Sequence, residues 1–251
     1  MKTILITGAS SGFGKATAQL LAKKNYRLIL VARRKDRLEE LQKNLKTQVY
    51  IAPLDVRKKD EVKTLFENLP DEFRAIDILI NCAGLALGLN PADSAETDDW
   101  DVMIDTNVKG TLYCTRFVLE GMVKRNSGLI ITIGSIAATV PYKGGNVYGA
   151  TKAFIKQFAK NLRTDLLGTN IKVTNIDPGA AQTEFSLVRF KGNKKQADDV
   201  YEGMEPLVAE DIASTIGWVI EQPHHVNIDN VEIWALDQTY GGIAFSRRKT
   251  K

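Results

Sequence analysis

Met1-Lys2-Thr3-Ile4-Leu5-Ile6-Thr7-Gly8-Ala9-Ser10-Ser11-Gly12-Phe13-Gly14 opens the chain and decides its fold class. An apolar run of strand length feeds directly into a turn carrying Gly8, Gly12 and Gly14. A tight strand-to-helix turn needs residues free to take positive φ. Backbone without Cβ lets a pyrophosphate come close. Exposed N–H groups and the positive end of the helix dipole then hold the anion. The cradle so formed is Gly8, Ser10, Ser11, Gly12, Phe13 and Gly14. Its spacing is G-x-x-x-G-x-G, not the commoner G-x-G-x-x-G. A Gly-rich string alone can be a mere turn; the strand before it and the helical pattern after it are the context that marks a dinucleotide site.

The same alternation runs outward along the chain. Apolar runs at 2–7, 27–32, 48–53, 77–81, 128–133, 171–177 and 231–235 read as strands. Most are continuous Ile/Leu/Val runs, which means both faces are covered, as in a parallel sheet between helix layers. Helical patterns fill the gaps at about 13–24, 36–45, 58–69, 98–125, 146–167 and 209–221. This predicts an α/β fold: a single Rossmann-type, doubly wound, parallel seven-stranded sheet flanked by helices. With 251 residues and no internal linker or repeat, one domain spanning 1–251 is expected. The stretch 179–207 lacks clear periodicity and is read as a substrate lid.

Composition narrows the function classes. The chain is 44% hydrophobic and 25% charged, ordinary for a globular protein. No stretch approaches the ~20 apolar residues of a membrane span. The first apolar run is too short for a signal peptide, and the cytoplasm is the expected compartment. A formal charge of +4 is too modest to argue for nucleic acid, and part of it sits in the tail Arg247-Arg248-Lys249-Thr250-Lys251, read as a solvated end. Cys82 and Cys114 stand in no metal spacing and are expected to be reduced thiols. Adjacent His224 and His225 read as a surface turn, and no metal is expected. Asp98-Asp99-Trp100-Asp101 reads as the acidic opening of a long helix. Trp100, Trp218 and Trp234 read as packing residues.

The end of the second strand speaks to the cofactor. A carboxylate there accepts from the ribose 2′-hydroxyl of NAD, whereas an Arg suits the 2′-phosphate of NADP. This chain has Arg33 and Arg34 at the tip, with Asp36 only after them. The guanidinium fork matches phosphate, so NADP is expected; the alternative is a pair of solvated loop arginines.

Tyr148 and Lys152 lie four apart on a predicted helix and share a face. An ammonium about 5 Å from a phenol, at an effective dielectric near 20, contributes roughly 3 kcal/mol, or about two pK units. Lys152 is therefore expected to make Tyr148 a competent acid/base. Ser135 ends the fifth strand run, at the edge where open parallel sheets bind ligands, and its hydroxyl is placed to hold a substrate oxygen. A Tyr-x-x-x-Lys pair alone is usually a surface pair. With Ser135 and the Gly turn it implies hydride transfer between a nicotinamide cofactor and an alcohol or ketone.

These motifs together resemble the short-chain dehydrogenase/reductase family over nearly the whole chain. They are Thr7-Gly8-x-x-x-Gly12-x-Gly14, Asp55-Val56, Asn81-Cys82-Ala83-Gly84, Asn107, Ser135, Tyr148-x-x-x-Lys152 and Pro178-Gly179. The resemblance implies that Tyr148 is the general acid/base, Ser135 orients the carbonyl, Lys152 also bonds the nicotinamide ribose, and Asn107 positions a water in a proton relay. It implies cofactor contacts from Asp55, Val56, Asn81, Cys82, Pro178, Gly179 and Thr183. Cys82 departs from the family's Asn-Asn-Ala-Gly; the loop packs on the cofactor partly by backbone. The family commonly forms tetramers through its two long helices, here about 98–125 and 146–167.

A closer resemblance is to the branch of NADP-dependent 3-hydroxy acid dehydrogenases, which act on serine, allo-threonine and related compounds. Gly84-Leu85-Ala86-Leu87-Gly88, Met103-Ile104-Asp105-Thr106-Asn107, Gly144 to Phe154, Thr183 to Gly192 and His225-Val226-Asn227-Ile228 carry it. The link between Pro178-Gly179 and Thr183 is one residue shorter than expected. The implied substrates are small 3-hydroxy acids, with Ser135, Tyr148 and Arg189 as the substrate residues. Arg189 would hold the carboxylate bidentately, with Lys191 and a solvated loop Arg as alternatives. Two rival functions remain open: reduction of another carbonyl, such as a 3-oxoacyl thioester or a xenobiotic ketone, and a non-catalytic NADP sensor.

Overall fold

In a computed structural model of the chain, residues 1–241 are described. The basic tail at 247–251 lies outside them. Seven strands form one sheet: β1 (Thr3–Thr7), β2 (Arg27–Ala32), β3 (Val49–Pro53), β4 (Ile76–Asn81), β5 (Gly128–Ile133), β6 (Ile171–Pro178) and β7 (Asn230–Ile233). The order is β3-β2-β1-β4-β5-β6-β7, and every pairing is parallel. The strand order reverses between β1 and β4, the switch point where such sheets open a crevice.

The continuous apolar runs resolve into two faces. Ile4, Ile6, Leu28, Leu30, Ile78, Ile80, Leu129 and Ile131 point into one core; Leu5, Ile29, Val31, Leu79 and Ile130 point into the other. The first core is closed by α1 (Gly12–Ala22), α2 (Lys35–Asn44) and α9 (Ala209–Ile220). The second is closed by α3 (Lys59–Glu67), α5 (Thr111–Arg125) and α6 (Asn146–Asp165). Alternate side chains of a strand face opposite ways, so covering both faces demands apolar residues at every position.

The predicted helix over 98–125 is interrupted. Helix α4 (Thr97–Met103) passes into a π-helical stretch, Ile104–Gly110, before α5 begins. A π stretch of seven residues is too short to show its own apolar period, and the helix continues through it unbroken. Asp98 and Asp99 do lie in the first turn of α4. The stretch 179–207 also holds more structure than its sequence suggests: α7 (Glu184–Arg189) and α8 (Lys194–Asp199) are each six residues long. Helices this short span under two turns, too few for a periodic pattern.

The Gly turn has the expected geometry. Gly8 and Gly12 have φ of +68° and +47°. Gly14 is needed for closeness instead: a Cβ there would stand 2.5 Å from the Gly8 carbonyl oxygen. Gly14→Ala should therefore lower the unfolding free energy by about 1–3 kcal/mol, read as a lower midpoint in urea. An unchanged midpoint would mean the turn can relax around the methyl group.

Candidate active site

A cleft of about 590 Å³ runs along the carboxyl ends of the strands. One end is the Gly turn, where Gly8, Ser10, Ser11, Gly12, Phe13 and Gly14 line the wall. Ser11 caps α1 in extended backbone, and its side chain makes no capping bond. The first turn of α1 thus keeps N–H groups for an anion. Thr183 stands over this turn: a Cβ on Gly12 would touch its side chain at 3.5 Å. Thr183 also caps α7, its Oγ1 accepting from Phe185 N at 3.2 Å.

Arg33 and Arg34 both line the cleft beside β2. Arg34 donates from Nε and Nη2 to Ser10 Oγ at 3.2 and 3.1 Å, and from Nη1 to Glu184 Oε2 at 3.0 Å. Arg37 donates to the other Glu184 oxygen. Burial works against the Glu184 carboxyl, but Arg37 and Arg34 hold it below its usual range. Arg37 and Glu184 were not singled out in the sequence. Arg37 lies one helical turn past the strand tip, and Glu184 is distant in the chain. Asp55 and Val56 line the same end. The Asp55 carboxylate is taken by Arg57, with Arg57 Nη2 at 2.6 Å.

These features fit a dinucleotide with a 2′-phosphate. The turn has the required positive φ, the helix end is open, and the strand tip presents guanidiniums where an NAD site presents a carboxylate. Cys82, Pro178 and Gly179 continue the wall toward the other end.

Ser135, Tyr148 and Lys152 meet at that other end, all lining the cleft and each under 9% exposed. Lys152 Nζ donates to the Ile133 carbonyl at 2.8 Å and lies 5.8 Å from the Tyr148 ring centroid. Ser135 Oγ accepts from Ala137 N at 3.1 Å. The expected acidification of Tyr148 by Lys152 is not found in the chain by itself. Burial pushes the phenol up to about 12, against the pull of the Ser135 hydroxyl and Arg189, with Tyr142 and Asp177 adding to the rise. Burial also draws Lys152 down to about 8, with Asp177 and Cys82 opposing. Desolvation disfavours both charged forms, and helical spacing carries no sign of it.

Asn81 and Asn107 stand behind the cleft wall. Asn81 Nδ2 donates to Thr115 Oγ1 at 3.1 Å. Asn107 lies in the π-helical stretch; its Oδ1 accepts from Leu85 N at 2.9 Å, and its Nδ2 donates to Leu85 O and Thr151 Oγ1 at 2.8 and 3.0 Å. Thr151 Oγ1 in turn donates to the Tyr148 carbonyl at 2.8 Å. A Cβ on Gly84 would stand 3.3 Å from Asn107 Oδ1 and 3.4 Å from Lys152 Nζ, so the amide and the ammonium flank one glycine.

Arg189, at the end of α7, reaches over this group. Its Cζ lies 5.1, 5.4 and 5.5 Å from the ring centroids of Tyr148, Tyr142 and Phe185. It donates to the Tyr142 hydroxyl, and its Nε is buried with no partner. Its carbonyl accepts from Gly88 N at 2.9 Å, tying α7 to the loop after β4. Lys191 does not join it: its ammonium pairs with Asp99 Oδ2 at 2.9 Å.

Known proteins agree with this geometry. The short chain dehydrogenase family model matches residues 2–193. NADP-dependent 3-hydroxy acid dehydrogenase YdfG of Escherichia coli K12 is 48% identical over 246 residues, covering 98% of this chain and 99% of its own. Serine 3-dehydrogenase of Rhizobium radiobacter is 46% identical over 245 residues, covering 98% of each. The closed form of a serine dehydrogenase complexed with NADP+ superposes with a TM-score of 0.97 at 48% identity, over 98% of this chain and 100% of that one. A seven-stranded parallel Rossmann-type sheet, the cleft at its carboxyl edge and these matches together place the chain in the short-chain dehydrogenase family.

Proposed function

We propose that this protein is an NADP-dependent oxidoreductase that oxidises the 3-hydroxyl of small 3-hydroxy acids, or reduces the corresponding 3-oxo acids. Serine, allo-threonine and 3-hydroxypropanoate are the substrate type. The observation that carries the substrate class is the guanidinium of Arg189, 5.1 Å from the Tyr148 ring and with a buried, unpartnered Nε. An unsatisfied buried donor on a cation is costly, and a carboxylate satisfies it in a bidentate fork. The names of the two relatives, a 3-hydroxy acid dehydrogenase and a serine dehydrogenase, support the same class.

The contacts support the following roles. Ser135 holds the substrate oxygen, and Tyr148 takes the hydroxyl proton in oxidation or returns it in reduction. Gly8, Ser10, Ser11, Gly12, Phe13 and Gly14 hold the pyrophosphate, and Arg33 and Arg34 take the 2′-phosphate. Asp55, Val56, Asn81, Cys82, Pro178, Gly179 and Thr183 shape the rest of the cofactor site. When bound, NADP+ would supply the hydride acceptor and a positive charge. That charge opposes the burial which otherwise keeps Tyr148 protonated. Burial draws Lys152 down, while Asp177 and the Ile133 carbonyl favour its ammonium. Asn107, fixed between Leu85 and Thr151, places its amide beside Lys152 for a proton relay.

The whole chain reads as one domain, with 179–207 as its lid. α7 in that stretch carries Arg189 across the cleft, which supports the lid. Among the described residues no helix is long and apolar enough to cross a membrane. A cytoplasmic homotetramer fits exposed Val123 on α5 and Phe154 on α6, apolar side chains that a neighbouring copy would cover.

Turnover of NADP with serine, allo-threonine and 3-hydroxypropanoate, followed by the ultraviolet absorbance of reduced nicotinamide, is the direct test. Simple alcohols and 3-oxoacyl thioesters serve as controls, and turnover only with the controls would overturn the assignment. Tyr148→Phe should lower kcat by about 10²–10⁴-fold while leaving NADP binding in place. Arg34→Ala, and Arg33→Ala beside it, should cut the NADP-over-NAD preference in kcat/KM by about 10–100-fold; an unchanged ratio means the arginines are solvated. Arg189→Ala should raise KM for acid substrates by about 10–100-fold and spare simple alcohols, whereas an equal effect on both removes the carboxylate role.

A further inference from the structure

Beneath the Ser135–Tyr148–Lys152 group lies a charged cluster that no step above uses. Asp177, near the end of β6, is 0% exposed. Its Oδ1 accepts from Ser135 N at 2.9 Å and from Asn175 Nδ2 at 2.8 Å. Its Oδ2 faces Lys156 Nζ at 2.9 Å, out of hydrogen-bond alignment, and has no other polar partner. Lys156 also donates to Glu232 Oε1 on β7 at 2.9 Å. On α6, Tyr148, Lys152 and Lys156 follow one another at intervals of four, so they share a face. The carboxylate takes the space a side chain before Ser135 would fill: a Cβ on Gly134 would stand 2.0 Å from Asp177 Oδ1.

A buried carboxylate is costly, and removing one partner of such a pair is costlier still. A neutral amide would accept from Ser135 N equally well. The charge is therefore more than the serine's placement requires. We infer that Asp177, clamped by Lys156, is a positioning residue that holds Ser135 and supplies the buried charge against which Tyr148 and Lys152 are set. The inference rests on the reading of Tyr148 as the acid/base.

The charged and titratable groups around it come from every packed element. Lys156, Lys152 and Tyr148 face it from α6 and Glu232 from β7. Tyr148 also has Ser135, Tyr142 and Arg189 about it, and Lys152 has Cys82. Asp177 favours the protonated form of both Tyr148 and Lys152. Oxidation needs the phenolate, which sets the acid limb of the kcat profile, and the ammonium, which sets the alkaline limb. Removing the negative charge makes both groups release their protons more readily. Both limbs then move to lower pH. Removing the Lys156 cation leaves Asp177 less compensated, and both limbs move to higher pH.

The test is the pH dependence of kcat for Asp177→Asn and Lys156→Met, with NADP affinity measured by fluorescence titration. The expected result is displacement of both limbs by about one pH unit, downward in D177N and upward in K156M, with NADP Kd within about twofold of wild type. Loss of rate in both variants with unmoved limbs would reduce the cluster to a structural prop and overturn the inference. If D177N does not fold, K156M decides by the direction of its limbs. Y148F, run alongside, separates the two readings: retained turnover there sinks the acid/base assignment and this inference with it. Loss of turnover there, with unmoved limbs in D177N and K156M, sinks this inference alone.

Discussion

A phenol and an ammonium are buried side by side at the carboxyl edge of the sheet, and the rest of the site is arranged around that cost. Tyr148 is 8% exposed and Lys152 6% exposed. Neither position favours charge, which is why the phenol rises to about 12 and the lysine falls to about 8. The sheet offsets part of the cost directly: the Ile133 carbonyl, left free where β5 ends, accepts from the ammonium at 2.8 Å. Charges around the pair act too: Asp177 favours the ammonium, and Arg189 favours the phenolate. On the proposed reading such a site holds its groups protonated until a further positive charge arrives, which a dinucleotide's oxidised ring would bring.

How much of this was legible in the sequence depends on the range of each interaction. The strands were legible because two covered faces force apolar residues at consecutive positions; Ile4, Leu5 and Ile6 alternate between the two cores. The Gly turn was legible because its demands are local. Tyr148 and Lys152 were legible because one helical turn brings them to one face. The π-helical stretch around Asn107 was not, since its seven residues are too few to show a period of their own. Helices α7 and α8 were too short to show a period.

The electrostatics were the least legible part. The Arg34 to Glu184 bond spans 150 residues, and the Ser135 to Asp177 bond spans 42. No spacing rule reaches that far. The sign of the Tyr148 shift was also hidden, because desolvation depends on everything packed around the ring. In the chain by itself that burial outweighs the charges that favour the phenolate.

One short helix, α7, joins the two ends of the cleft. α7 begins at Glu184, on the guanidiniums of Arg34 and Arg37, and ends at Arg189, against the Tyr148 ring. Six residues of helix cover only about 9 Å, so a displacement at one end is carried nearly rigidly to the other. Arg34 and Arg37 at one end and Arg189 at the other are thus held on a common strut, with Thr183 as its cap over Gly12. Occupying the arginines with a 2′-phosphate draws on the same groups that anchor Glu184. On the proposed reading, binding of the cofactor's adenosine end and placement of Arg189 are coupled by contact, and the lid needs no separate trigger.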